Sequence, residues 1–101
     1  MPTDVEKREH ERKQFFGELL LEFTSGRRKA RISDISLGGC YVDSIASVIE
    51  GETIRLIITI PSGESIQFAG EVAYVLPGLG FGVRFIGLNE ERTSFLDKII
   101  D

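Results

Sequence analysis

The sequence predicts a mainly-β domain, a small six-stranded antiparallel barrel whose open end is covered by a C-terminal helix. Three observations carry that expectation. Apolar residues recur with a period of two along most of the chain. Gly, Pro, Ser and Asp interrupt the alternation at close intervals, as turns do. Only the final stretch, from Asn89, changes to helical spacing.

The elements follow in order. Residues 1–13 read as a polar arm with Val5 as the one β-branched aliphatic residue and no apolar stripe to dock. Such an arm is expected to be mobile on its own. From Gln14 the period is two. Phe15, Gly17, Leu19, Leu21 and Phe23 share one face, while Gln14, Phe16, Glu18, Leu20 and Glu22 share the other. Thr24 to Arg27 reads as a turn, and a second strand runs from about Arg28 to Ile35. Ser36 to Gly39 make a glycine-bearing turn, and Cys40 to Val42 a short third strand.

Asp43 to Gly51 is rich in small and polar residues and reads as a loop or one helical turn. Ile54, Leu56, Ile58 and Ile60 define a fourth strand, and Pro61 to Glu64 a hairpin turn. Ile66, Phe68, Val72 and Tyr74 continue the alternation, with a bulge or bend expected at Gly70. Pro77-Gly78 breaks the chain again, and Phe81, Val83 and Phe85 form the last strand. Asn89 suits a helix N-cap, with Glu90 and Glu91 where the helix dipole favours acids. The helix is expected over about 89–100, with Leu88, Phe95, Leu96, Ile99 and Ile100 on its buried side.

Composition limits the function. At 101 residues, 42% hydrophobic and 28% charged, the chain fits a single globular domain, with residues 14–101 as its body. No apolar run is long enough for a membrane span, and the opening stretch lacks the apolar segment of a signal peptide. Cys40 stands alone, so no internal disulfide forms. A cytoplasmic location is expected. A net charge of −4 argues against a general nucleic-acid binder. Yet Lys7, Arg8, Arg12, Lys13, Arg27, Arg28, Lys29 and Arg31 all precede residue 32. A positive patch on an acidic body suits a small anionic ligand better than a long polyanion.

Two segments carry chemistry. Arg8 and Arg12 form an RxxxR spacing, and Asp34-Ile35-Ser36-Leu37-Gly38-Gly39 a DxSxxG spacing. In this order, ahead of a barrel pattern, they resemble the PilZ domain family. The resemblance extends through the Gly82-Val83-Arg84-Phe85 strand near the end. It implies a six-stranded barrel with a C-terminal helix, a stand-alone single-domain member, and cyclic di-GMP as ligand. It also implies that Arg8, Arg12, Asp34, Ser36 and Gly39 bind that ligand.

Elementary chemistry supports those residue types. Cyclic di-GMP carries two phosphates and two guanines. A guanidinium is planar and permanently charged, and pairs with guanine O6 and N7, with phosphate, or with a purine face. The Asp34 carboxylate can accept from the N1–H and N2–H of guanine. The Ser36 hydroxyl can donate to phosphate or accept from an amino group. Gly39, without a Cβ, lets backbone approach closely or adopt positive φ. Lys7 adds a third positive group, and Gly38 and Arg84 are further candidate contacts, Arg84 pointing outward from its strand. The expectation is a clamp: a basic arm that orders over a fixed acidic turn when ligand arrives.

Each residue also has a plain structural role to weigh. Asp34 and Ser36 are common turn formers, Gly38 and Gly39 permit turns, and Arg27, Arg28, Lys29 and Arg31 suit a solvated hairpin. His10 reads as a spacer and Cys40 as a small buried strand residue. No metal-ligand set, Walker-type loop or nucleophile–base pair is present in the sequence, so no cofactor and no enzymatic activity are expected. A downstream protein partner is expected, because a receptor domain acts through another molecule. The alternative is a nucleotide-independent adaptor on the same fold, and a single-strand-binding barrel is a weaker rival.

Overall fold

The computed structural model describes residues 13–23 and 26–100. Six strands and one helix follow in chain order: β1 (Lys13–Phe23), β2 (Gly26–Ile35), β3 (Gly39–Asp43), β4 (Thr53–Thr59), β5 (Ser65–Leu76), β6 (Gly80–Ile86) and α1 (Glu90–Ile100). The strands close into a barrel in the order β1-β2-β3-β6-β5-β4, with every pairing antiparallel. The predicted fold class is therefore the observed one. Strand pairing begins at Lys13, one residue earlier than the sequence pattern places it. Every strand has two neighbours, so the barrel offers no open edge for another chain to extend.

The period of two decides what lies inside. Leu19 and Leu21 of β1, Ile32 and Ile35 of β2, and Cys40 and Val42 of β3 are buried. So are Ile54, Leu56 and Ile58 of β4, Phe68 and Val72 of β5, and Phe81, Val83 and Phe85 of β6. Burying one such side chain contributes about 1.5–3 kcal/mol. The Phe68 ring packs on Phe85 at 4.8 Å and on Phe95 of α1 at 6.0 Å.

Helix α1 starts where Asn89 caps it. The Asn89 side-chain oxygen accepts from the Arg92 amide at 2.9 Å, satisfying a donor left over at the helix start. Phe95, Leu96 and Ile99 are buried against the barrel. Lys98 reaches Glu64 in the β4–β5 turn, pinning the helix over that end. Leu88 departs from expectation: it precedes the cap and remains 37% exposed, outside the amphipathic stripe.

A further correction concerns β5. Gly70 is not a bulge, since it pairs regularly with Ile54 and with Phe85. It points inward, where a Cβ would overlap Val83 Cγ1 and crowd Leu56. The irregularity falls instead between Val72 and Tyr74. One extra residue reverses the alternation there, so Tyr74 turns outward, 44% exposed, and Val75 packs against the core. The β3–β4 connection is a loop, one of the two forms expected, with no helical turn. It crosses the barrel end with Val48 packed inward and Ile45 and Ile49 exposed, and is tied to β5 by Gly51 N–H to Val72 O and Val72 N–H to Glu52 O.

Candidate functional site

The β2–β3 turn is built by one hydroxyl. Ser36 Oγ accepts from the amides of Gly38 at 3.1 Å and Gly39 at 3.2 Å, and donates to Gly39 O at 3.4 Å. The Ser36 amide donates to the same carbonyl at 2.8 Å. Ser36 is thus buried within its own turn, and its visible role is to hold it. Gly38 O accepts from the Phe85 amide at 2.9 Å, which fixes the turn to β6.

Gly39 is required for close approach rather than for unusual torsion. It is not among the glycines with positive φ. A Cβ there would overlap the Val83 carbonyl oxygen and lie 3.2 Å from Arg84 Cα. The crowding partner is the backbone of β6, so this glycine serves the β3–β6 pairing directly.

Register places the remaining side chains. Asp34 pairs with Tyr41, Tyr41 with Gly82, and Gly82 with Tyr74. Residues directly opposite in an antiparallel pair share a face, so these four form one row on the outside of β2, β3, β6 and β5. The next row is Gly39, Arg84 and Glu71. Arg84 does point outward, as its strand predicts, and its guanidinium bonds Glu71 at 2.8 Å. Asp34, Gly39 and Arg84 therefore stand on one outer face.

Burial, with the nearby acids Asp43 and Asp34 and the neighbouring Tyr74, raises the Tyr41 hydroxyl above its ordinary pKa. It remains a neutral donor at physiological pH. Tyr41, Tyr74 and Glu71 were not singled out by sequence reasoning. An unbroken alternation places Tyr74 inside, and only the bulge at Ala73 brings it to this face.

Arg8, Arg12 and Lys7 lie outside the described residues. Their attachment point does not. Lys13 pairs with Ile35 and Gln14 with Asp34, so the described chain begins beside the Asp34 turn. Arg12 is one peptide bond from Lys13, within about 3.8 Å in Cα position, and Arg8 is four residues further along the chain.

The basic side chains of the β1–β2 hairpin lie further along β2 from Asp34. Arg27, Lys29 and Arg31 are exposed, with Arg27 bonded to Glu22 at 2.8 Å. There a groove of about 520 Å³ has Leu20 and Ile57 among its lining and Lys29 and Arg31 beside them. Arg31, in its lining, pairs with Asp43, one outward position along β3 from Tyr41 of the Asp34 row. The Asp34 row lies on the outer surface of the barrel. Among the described residues no group of His, Cys, Asp and Glu is placed to hold a metal ion. None of the described helices is long and apolar enough to cross a membrane.

The sequence model of the PilZ domain matches residues 6–101. Solved structures share the fold. The PilZ domain of YcgR from Escherichia coli, with cyclic di-GMP, is 16% identical over 93% of this chain and 88% of that one, with a TM-score of 0.78. The Bacillus subtilis inhibitor of motility MotI/DgrA is 17% identical over 93% of this chain and 49% of that one, TM-score 0.77. The Borreliella burgdorferi PlzA protein, in complex with cyclic di-GMP, is 21% identical over 97% of this chain and 43% of that one, TM-score 0.68. This chain thus spans about half the length of the MotI chain. No curated protein sequence matches it.

Proposed function

The chain belongs to the PilZ domain family, and we propose that it is a receptor for cyclic di-GMP. The observation that carries the reading is the pairing of Gln14 with Asp34, which roots the arginine-bearing segment at the acidic turn. Arg8 and Arg12 supply positive charge and forked donors from one side. Asp34 supplies an outward carboxylate from the other, at the end of β2 beside the turn that Ser36 and Gly39 hold. Two fold neighbours, YcgR and PlzA, are described with the same ligand, which supports the choice of messenger.

The mechanism is a clamp. The ligand's phosphates draw the arginines, and guanine edges satisfy Asp34. We count Lys7, Gly38 and Arg84 as further contacts. Arg84 would have to exchange its bond to Glu71 for the ligand. The covered face then differs in shape and charge from the bare one, and a partner protein distinguishes the two by its differential affinity. The domain acts as a non-catalytic effector.

Isothermal titration calorimetry tests this. Saturable binding of cyclic di-GMP is expected. A good arginine–guanine contact is worth roughly 1–3 kcal/mol. Arg12→Ala and Asp34→Ala should therefore each weaken binding by about ten- to a hundred-fold. Wild-type affinity in both variants removes the site from consideration.

A nucleotide-independent adaptor is the second reading. It is favoured by one observation: Ile45, Ile49 and Leu79 are strongly exposed at the barrel end opposite the Ser36 turn. Capture of a defined partner that is unaffected by cyclic di-GMP and lost in an Ile45→Ser/Ile49→Ser/Leu79→Ser variant would support it. Ligand-dependent capture supports the receptor.

A further inference from the structure

We propose that Tyr41 and Tyr74 form a stacking shelf for one nucleobase of the ligand, with the bare glycines of β6 as its floor. The inference rests on the receptor reading and extends its site by two residues.

Two positions of β6 on the outer face carry no side chain. Gly82 lies between Tyr41 and Tyr74 in register, and Gly80 is one outward position further along. A Cβ on Gly82 would overlap the Tyr74 ring, and a Cβ on Gly80 would come within 2.7 Å of the Tyr41 hydroxyl. Both side chains are thus laid over the strand rather than standing away from it. The ring planes differ by 28° and the centroids are 6.3 Å apart. Strands two apart in a sheet are separated by about 9.6 Å. The rings therefore lean toward each other over β6, Tyr74 above Gly82 and Tyr41 toward Gly80.

Aromatic rings often cover a strand glycine for stability alone. Two features exceed that role. Tyr74 keeps 44% of its surface exposed although it lies on a glycine. And the shelf adjoins Asp34, the next residue in its row, so a base lying on the rings would have its hydrogen-bonding edge within reach of a carboxylate. A π-face and an edge acceptor at right angles to it are what a guanine needs and what a phosphate does not use.

The chain has no tryptophan and only two tyrosines, Tyr41 and Tyr74. Tyrosine emission therefore reports on this shelf alone. Cyclic di-GMP should be titrated into the full chain, following heat and emission together. Saturable quenching is expected, with the same midpoint as the heat. Tyr74→Phe should retain affinity, because the ring is kept. Tyr74→Ala should weaken binding about five- to a hundred-fold while remaining folded. A purely structural ring would lower the unfolding midpoint in Tyr74→Ala and leave the affinity alone, and that result overturns the inference. So does heat without any change in emission. If Tyr74→Ala fails to fold, Tyr74→Leu and the wild-type emission titration decide the matter by the same criteria. A wild-type chain that takes up no cyclic di-GMP overturns the receptor reading and this extension with it; binding with an indifferent Tyr74 overturns only the extension.

Discussion

Gly39 shows how one position can look like ligand chemistry and be demanded by packing. The obstacle to a Cβ there is backbone, the Val83 carbonyl, which has no rotamer to yield. Gly39→Ala should therefore cost about 1–3 kcal/mol through forced separation of β3 and β6, read as a lower midpoint in urea unfolding. Tyr41 gives a second residue-scale test. Its pKa is raised in the folded chain, first by burial and then by nearby acids. Folding thus favours the neutral hydroxyl. The associated stability is fully present below the unfolded tyrosine pKa of about 10 and is lost as pH rises through the higher folded value. Tyrosinate absorbance and unfolding midpoints across alkaline pH should show this, and Tyr41→Phe should remove its share of the alkaline loss. The candidate residues stood out in the sequence as an acid, a hydroxyl and glycines at fixed spacing, although each is also a common turn former. What each does was less legible. Ser36 spends its hydroxyl on its own turn, and Gly39 spends its missing Cβ on β6.

Among the elements, the helix start was the most legible. Asn89 caps α1 as its position before two acids suggests, and the bond to the Arg92 amide is the evidence. Asn89→Ala should lower stability by about 1 kcal/mol, while Asn89→Asp should restore most of it; thermal unfolding of the three proteins checks both. Strand β5 was the least legible. Its apolar period is sound through Val72, then a bulge moves every later residue to the other face. Nothing in the run Val72-Ala73-Tyr74-Val75 marks that slip, since Tyr and Val are both at home inside or outside a strand. Gly70 attracted the bulge assignment because glycine often marks one, yet here its small size is used inside the barrel. The failure has a functional cost, as it hides Tyr74 from the face it occupies.

For the whole molecule, the closed strand order sets what binding can alter. The β1–β4 and β3–β6 pairings join distant parts of the chain, Leu20 with Ile57 and Tyr41 with Gly82, and leave no loose edge. Hydrogen–deuterium exchange with and without cyclic di-GMP should therefore change at residues 7–13 and around the Ser36 turn. Amides in the β4–β5 ladder, deep in the barrel, should exchange alike in both states. A spread of protection through β4 and β5 would contradict the clamp. The fold itself was readable because a period of two over six runs, closed by one helix, has few packed solutions.

Closure of the barrel also limits how news can leave this domain. A ring of strands bonded on both sides and filled with interlocked side chains leaves its interior little room to rearrange when something binds at one face. A message delivered to the Asp34 face must then be read where it is written. On the proposed receptor reading, the recipient handles the molecule as one handles a sealed envelope, by the stamp on the outside, and would contact the ligand or the segment that covers it.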